Sequence, residues 1–334
     1  MNLQDILLGF AIGDAFGAGV EFQDRNWIRE NIDFSSFVNV RSSVQALHTD
    51  IQNYHDWEYT DDTEMTIGLI KALISEQPFI EELLVKFWKK EYEEGGNVKG
   101  YTRAGHGSIS WVYSGEKTID EVRRFQQKRR FPGNAPATRA LPIGFIKDHL
   151  INDYAIINAN ATHPHSKAIA ASIIVARATQ YLLVQKRKQE DIIFYCAEFI
   201  KDIDSDTFNL IFQVESLPPP SELTEQDYIV LCGPQPIEPP KFLAGIKGLP
   251  SDAYHTSACV LYLLKHSKSA FEGLKNAILM GGDVDSIASI CTGILSGKYG
   301  ISSLPHFMIE SVEGKPYLND LARRFYKYLD QKSS

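Results

Sequence analysis

The chain has 334 residues, with 34 Lys and Arg against 42 Asp and Glu and a formal net charge of -8. Its 44% hydrophobic and 23% charged content is that of a folded globular protein and sets aside collagen, coiled coil and disorder. The acidic balance argues against direct nucleic-acid binding, which needs clustered Lys and Arg. Four cysteines without a CxxC pair argue against a zinc knuckle or disulfide framework and fit a reducing compartment.

Residues 1–22 form an apolar run interrupted by Asp5 and Asp14, with no basic leader. The run reads as a poor signal peptide, too short and too charged to span a membrane, so no membrane association and a cytoplasmic location are expected. Residues 24–59 are mixed and polar, a long loop with short elements. Apolar spacing of three and four then predicts helices over 63–75, 80–94, 166–183, 189–202, 254–266, 270–280, 285–299 and 316–331. Between 215 and 252 lie LPPPSEL and GPQPIEPPK, and proline forbids a helix interior, so an irregular connection is expected there. Strand-like alternation is scarce. The class is all-α, with many helices packed orthogonally.

The chemistry lies in short polar segments. Gly9, Gly13 and Gly17 fall on one helical face, which close approach of a second helix would explain. Asp14 beside them needs a hydrogen-bond partner or a cation if buried, and Glu21 follows in an apolar setting. Thr60-Asp61-Asp62-Thr63 opens the helix at 63–75. Thr60 or Asp61 can cap it, and Asp61 with Glu64 resembles a capping box, yet adjacent Asp61 and Asp62 repel unless a cation separates them. Gly281-Gly282-Asp283-Val284-Asp285-Ser286 precedes another helix, where a glycine turn with an N-cap is the plainer alternative. Together the two clusters offer hard oxygen ligands without His or Cys, which disfavours zinc and suits Mg²⁺ or Mn²⁺. They lie near opposite ends of the sequence and must meet to work, so one domain over 1–334 is expected although length alone allows two. Gly105-His106-Gly107-Ser108 and Gly133-Asn134-Ala135 are either turns or loops that present N–H groups to a phosphate. His163 and His165 flank Pro164 ahead of a helix, and a capping or surface role is the plainer reading for His165.

GDAFG with its following Glu, TDDTEMT, THPHS and GGDVDSIAS, in this order over residues 5–300, resemble the ADP-ribosylglycohydrolases, including the dinitrogenase-reductase-activating type. The resemblance implies a single all-α domain with two Mg²⁺ or Mn²⁺ ions at the foot of a cleft. It implies an enzyme that hydrolyses the glycosidic bond between ADP-ribose and a protein side chain, most often arginine; a monomer is expected, although the sequence carries no mark of oligomeric state. It places Thr60, Asp61, Asp62, Asp283, Asp285 and Ser286 as metal ligands, with Ser286 where many members carry Thr. Glu21, Asp62 and Asp283 become the catalytic carboxylates. Gly105, His106, Gly107, Ser108, Gly133, Asn134, Ala135 and His163 become substrate contacts. Two alternatives stay open: hydrolysis of a small ADP-ribosyl metabolite, and a non-catalytic ADP-ribose-binding or structural role for the same fold.

Overall fold

The computed structural model describes residues 2–40, 56–99, 111–238 and 243–333. In chain order the helices are α1 (Leu3–Val20), α2 (Arg25–Asn31), α3 (Asp61–Ile74), α4 (Glu81–Lys99), α5 (Ile119–Gln127), α6 (Ala135–Thr138), α7 (Ile151–Asn160) and α8 (Ser166–Thr179). They continue with α9 (Ile192–Ala197), α10 (Ser205–Glu215), α11 (Glu225–Cys232), α12 (Ala253–His266), α13 (Ala270–Ile278), α14 (Val284–Tyr299), α15 (His306–Ser311) and α16 (Lys315–Ser333). Among the described residues there is no β-strand, only two isolated bridges at Gly282, and the expected all-α class holds.

The centre of the core is the pair α1 and α14, from opposite ends of the sequence. Asn2 caps α1 by accepting from the Gln4 N–H, and beyond Asp5 every residue of the helix is buried. The glycine stripe is the seam of this pair. A Cβ at Gly9 would lie 2.2 Å from Ser296 Oγ, one at Gly13 would lie 2.2 Å from the Ala288 carbonyl oxygen, and one at Gly17 would lie 2.4 Å from Asp285 Cα. Only glycine permits backbones this close, and the contact offsets its cost of about 1 kcal/mol per residue in a helix. The seam also sets the register that brings the end of α1 to Asp285. Around it, α13 and α16 pack on the central pair, α12 joins α8 to α14, and α3 packs on α4 through Gly68 against Trp88.

Several expectations need correction. The span 189–202 is not one helix: α9 is short, and Phe199, Ile200 and Ile203 bond to the carbonyl three residues back, the tighter 3₁₀ pattern. The predicted 166–183 helix widens into a π-turn at Gln180–Val184. The proline-rich stretch contains α11, started by a Thr224–Asp227 capping box that the prolines on either side obscure. The N-terminal run is also more membrane-like than expected. Leu3–Val20 and Ser166–Val184 are each long and apolar enough by length and composition to cross a membrane. In both, 89% of the window is buried inside the protein, which makes them core helices here.

Candidate active site

Asp14 organises the first acidic cluster. It is fully buried and faces the N-terminus of α3, 46 residues along the chain. The Thr60 N–H donates to both its oxygens at 3.0 Å, and the Thr60 hydroxyl donates to Oδ1 at 2.7 Å. The Thr63 N–H and hydroxyl donate to Oδ2 at 3.0 and 2.5 Å. Thr60 is the N-cap, accepting weakly from the Asp62 N–H at 3.3 Å. The N3 residue is therefore Thr63, and the expected Asp61–Glu64 capping box is displaced by a carboxylate from another helix. This pinning presents Asp61, half-buried, and Asp62, buried, at the mouth of the helix.

The second cluster is woven into place by backbone. Gly281 and Gly282 have φ of +71° and +76°, a region that suits glycine. The Gly282 N–H donates to the Gln23 carbonyl and the Phe22 N–H donates to the Gly282 carbonyl, at 2.9 and 2.8 Å. On the other side Leu249 donates to Gly281 and Asp283 donates to Leu249. The end of α1, the end of the proline-rich stretch and the start of α14 thus meet at one loop. Asp283 occupies the N-cap position of α14 without making a capping bond, so the plain N-cap reading fails for it. Its carboxylate instead takes a hydrogen bond from Asn134 Nδ2 at 2.8 Å, with Ser251 near enough to favour its charged form.

The clusters converge. Ser286 Oγ donates to Asp62 Oδ2 at 2.9 Å across 224 residues of sequence. Oxygens of Glu21, Asp283 and Asp285 lie within 4.8 Å of one another. Glu21 is the C-cap of α1, and Phe22 after it turns the chain with a φ of +63°. The electrostatics follow from this crowding. Burial, then Asp61, Asp14 and Asp283, push the Asp62 carboxyl well above the usual range. Burial, then Glu21, Asp283, Asp62 and Asp14, do the same to Asp285. Asp283 is raised as well, chiefly by burial, and lies within hydrogen-bonding reach of Asp285. Carboxyls that close need a proton or a cation between them. The donor set is oxygen throughout, carboxylate and hydroxyl, which fits hard divalent cations.

The other candidate positions are placed as follows. Asn134, buried, also donates to Thr256 Oγ1 at 3.3 Å. The Gly133 N–H donates to Gln126 Oε1 at 3.1 Å, so it is not open to a phosphate as expected. Ala135 begins α6 and is half-buried. His163 is buried, with Nε2 facing Gly133, whereas His165 is the N-cap of α8. Gly105, His106, Gly107 and Ser108 lie outside the described residues. The sequence reading missed Ser251, which sits in a proline-rich segment without any motif, and could not name the partners of Asp14.

The profile of ADP-ribosylglycohydrolases matches residues 2–334. The chain belongs to the ADP-ribosylglycohydrolase family. Among relatives of this glycohydrolase is an uncharacterized protein of Archaeoglobus fulgidus, 25% identical over 333 residues, covering 98% of this chain and 96% of that one. ADP-ribosylhydrolase ARH3 of Mus musculus is 24% identical over 355 residues, covering 98% and 91%. The Homo sapiens ARH3 is 24% identical over 361 residues, covering 98% and 93%. A solved structure titled ADP-ribosylglycohydrolase-related protein complex superimposes with a TM-score of 0.66 at 18% identity, over 98% of this chain and 99% of that one. It shares the all-α fold. This chain is thus an enzyme of the glycohydrolase class, and it carries its acidic clusters on that fold.

Proposed function

We propose that this glycohydrolase cleaves the bond between ADP-ribose and a modified protein side chain, with arginine as the acceptor. We further propose that two Mg²⁺ or Mn²⁺ ions are held by Thr60, Asp61, Asp62, Asp283, Asp285 and Ser286. The observation that carries the reading is the convergence of the two clusters, with Ser286 on Asp62 and Glu21 beside Asp283 and Asp285. Bound ions would supply Lewis-acid polarisation of a water and of the ribose hydroxyls. The remaining roles belong to the chain. Glu21, half-buried at the end of α1, accepts the proton of the attacking water as the C1–O bond forms, and passes it to the leaving nitrogen as the C1–N bond breaks. Asn134 holds Asp283 in one orientation. The carboxylates stabilise the positive charge that develops at the anomeric carbon. The family resemblance carried by the sequence motifs supports arginine as the acceptor.

The test is a panel of arginine- and serine-linked ADP-ribosyl peptides and small ADP-ribosyl compounds, each with Mg²⁺ and with Mn²⁺, following release of ADP-ribose. Arginine-linked peptide should turn over fastest, and Asp61→Ala and Asp285→Ala should abolish release. Full activity in either variant overturns the ligand assignment. Turnover of the small compounds alone, or tight ADP-ribose binding without turnover, replaces this function with one of the two alternatives.

A further inference from the structure

Arg139 is a fully buried cation with no carboxylate hydrogen-bonded to it among the described residues. Its guanidinium lies 3.9 Å over the Trp88 ring. Nε donates to Asn158 Oδ1 at 2.7 Å, and Nη2 donates to the Asn158 carbonyl at 2.9 Å and to Thr162 Oγ1 at 2.7 Å. Asn158 is itself fixed by bonds from its Nδ2 to the Pro136 carbonyl and Ser172 Oγ, both at 2.9 Å. Thr162 Oγ1 has one further partner among the described residues, His163 Nδ1 at 2.7 Å.

The hydrogens in this chain can be assigned by elimination. Arginine only donates, so Thr162 is the acceptor in its bond with Arg139. The hydroxyl then has one hydrogen to place, and His163 Nδ1 is where it goes. The opposite arrangement, with Nδ1–H donating, would bury the hydroxyl hydrogen without an acceptor, which native interiors avoid. A doubly protonated ring is opposed by burial and by Arg139 and Arg129, the two charges that face it. The proton of a neutral His163 therefore sits on Nε2. That atom has no protein partner among the described residues and faces Gly133, where a Cβ would lie 3.0 Å away. The same loop carries Asn134 to Asp283.

We infer that Arg139 and Thr162 are positioning residues that lock His163 as an Nε2–H donor, aimed past Gly133 at an acceptor oxygen of ADP-ribose. The identity of the ligand rests on the function proposed above; the tautomer does not. In this role the histidine is a fixed hydrogen-bond donor and takes no part in proton transfer.

The experiment uses full-length protein, labelled with ¹⁵N-histidine and metal-free for the spectra and with saturating Mg²⁺ for the calorimetry, with His163→Gln to assign its signals in long-range ¹H–¹⁵N correlation spectra at neutral pH. An unprotonated Nδ1 and a protonated Nε2 are expected. Thr162→Ser, which keeps the hydroxyl, should preserve both the tautomer and the ADP-ribose affinity measured by calorimetry. Thr162→Val should mix the tautomers and weaken ADP-ribose about tenfold, the scale of one lost hydrogen bond. Arg139 keeps Asn158 as partner in either variant, so folding is expected to survive. A protonated Nδ1 in the wild type overturns the inference, and so does an unchanged tautomer with unchanged affinity in Thr162→Val. If Thr162→Val does not fold, the wild-type spectrum alone decides the tautomer. Failure of wild-type protein to bind ADP-ribose would overturn the ligand and the proposed function, while an Nε2–H signal would still uphold the roles of Arg139 and Thr162.

Discussion

Replacing Asp14 by Asn tests how the first acidic cluster is held. The carboxylate accepts from two N–H groups and two hydroxyls on α3. In Asn one oxygen becomes an NH₂ group. With the amide oxygen in the Oδ2 position the Thr60 and Thr63 N–H groups keep an acceptor, and only the Thr60 hydroxyl must rotate to a new partner. The change removes a charge-assisted bond worth about 1.5–3 kcal/mol, and about that much is lost. With about 2.1 cal/mol/K of unfolding entropy per residue, a 334-residue chain gives up roughly 1.4 °C per kcal/mol. The melting temperature of metal-free protein should therefore fall by about 2–4 °C in calorimetry, and Mg²⁺ affinity should fall with it as Thr60, Asp61 and Asp62 lose their placement. A shift under about 1 °C with unchanged Mg²⁺ binding would show that Asp14 does not set the position of α3.

Four other outcomes are expected. Gly13→Ala drives a methyl against the Ala288 carbonyl, at 2.2 Å before relaxation, and should cost about 1–3 kcal/mol in denaturant unfolding while lowering turnover by parting α1 from α14. Ser286→Ala removes the hydroxyl on Asp62 and should weaken Mg²⁺ about tenfold by calorimetry, whereas Ser286→Thr should not. Chelation of divalent ions should abolish ADP-ribose release, and Mg²⁺ or Mn²⁺ should restore it. In metal-free buffer the raised carboxyls of Asp62, Asp283 and Asp285 bind protons more tightly folded than unfolded. Their contribution is full below the ordinary aspartate range and is lost as pH rises through the elevated folded values, so thermal stability should fall with rising pH. Saturating Mg²⁺ should flatten that dependence, as read in melts across pH.

The helix class was legible because the apolar period is strong in long elements such as α12 and α14. Where the period weakens, as in α9 and the turns after it, the switch to three-residue hydrogen bonding leaves no mark in composition. The acidic clusters were legible as motifs, and their convergence could be inferred because neither fills a coordination shell alone. The supports were not. Nothing local tells that Asp14 reaches α3, that Ser251 reaches Asp283, or that Gln126 takes the Gly133 N–H, since each is a contact between segments that only the tertiary fold brings together. Asp14 was conspicuous as a charge within an apolar helix, which shows a need for partners without naming them.

The weave at Gly282 has a consequence for how the protein matures. Its two neighbours in the weave come from residues 22–23 and from residue 249, so the loop that carries Asp283 has no version that a partly synthesised chain could form. An emerging polypeptide holds Asp61 and Asp62 on the ribosome long before Asp283 exists. The acidic centre therefore assembles only when the last quarter of the chain arrives, and under the proposed function capture of divalent ions would be a late event that reports completion of the whole fold.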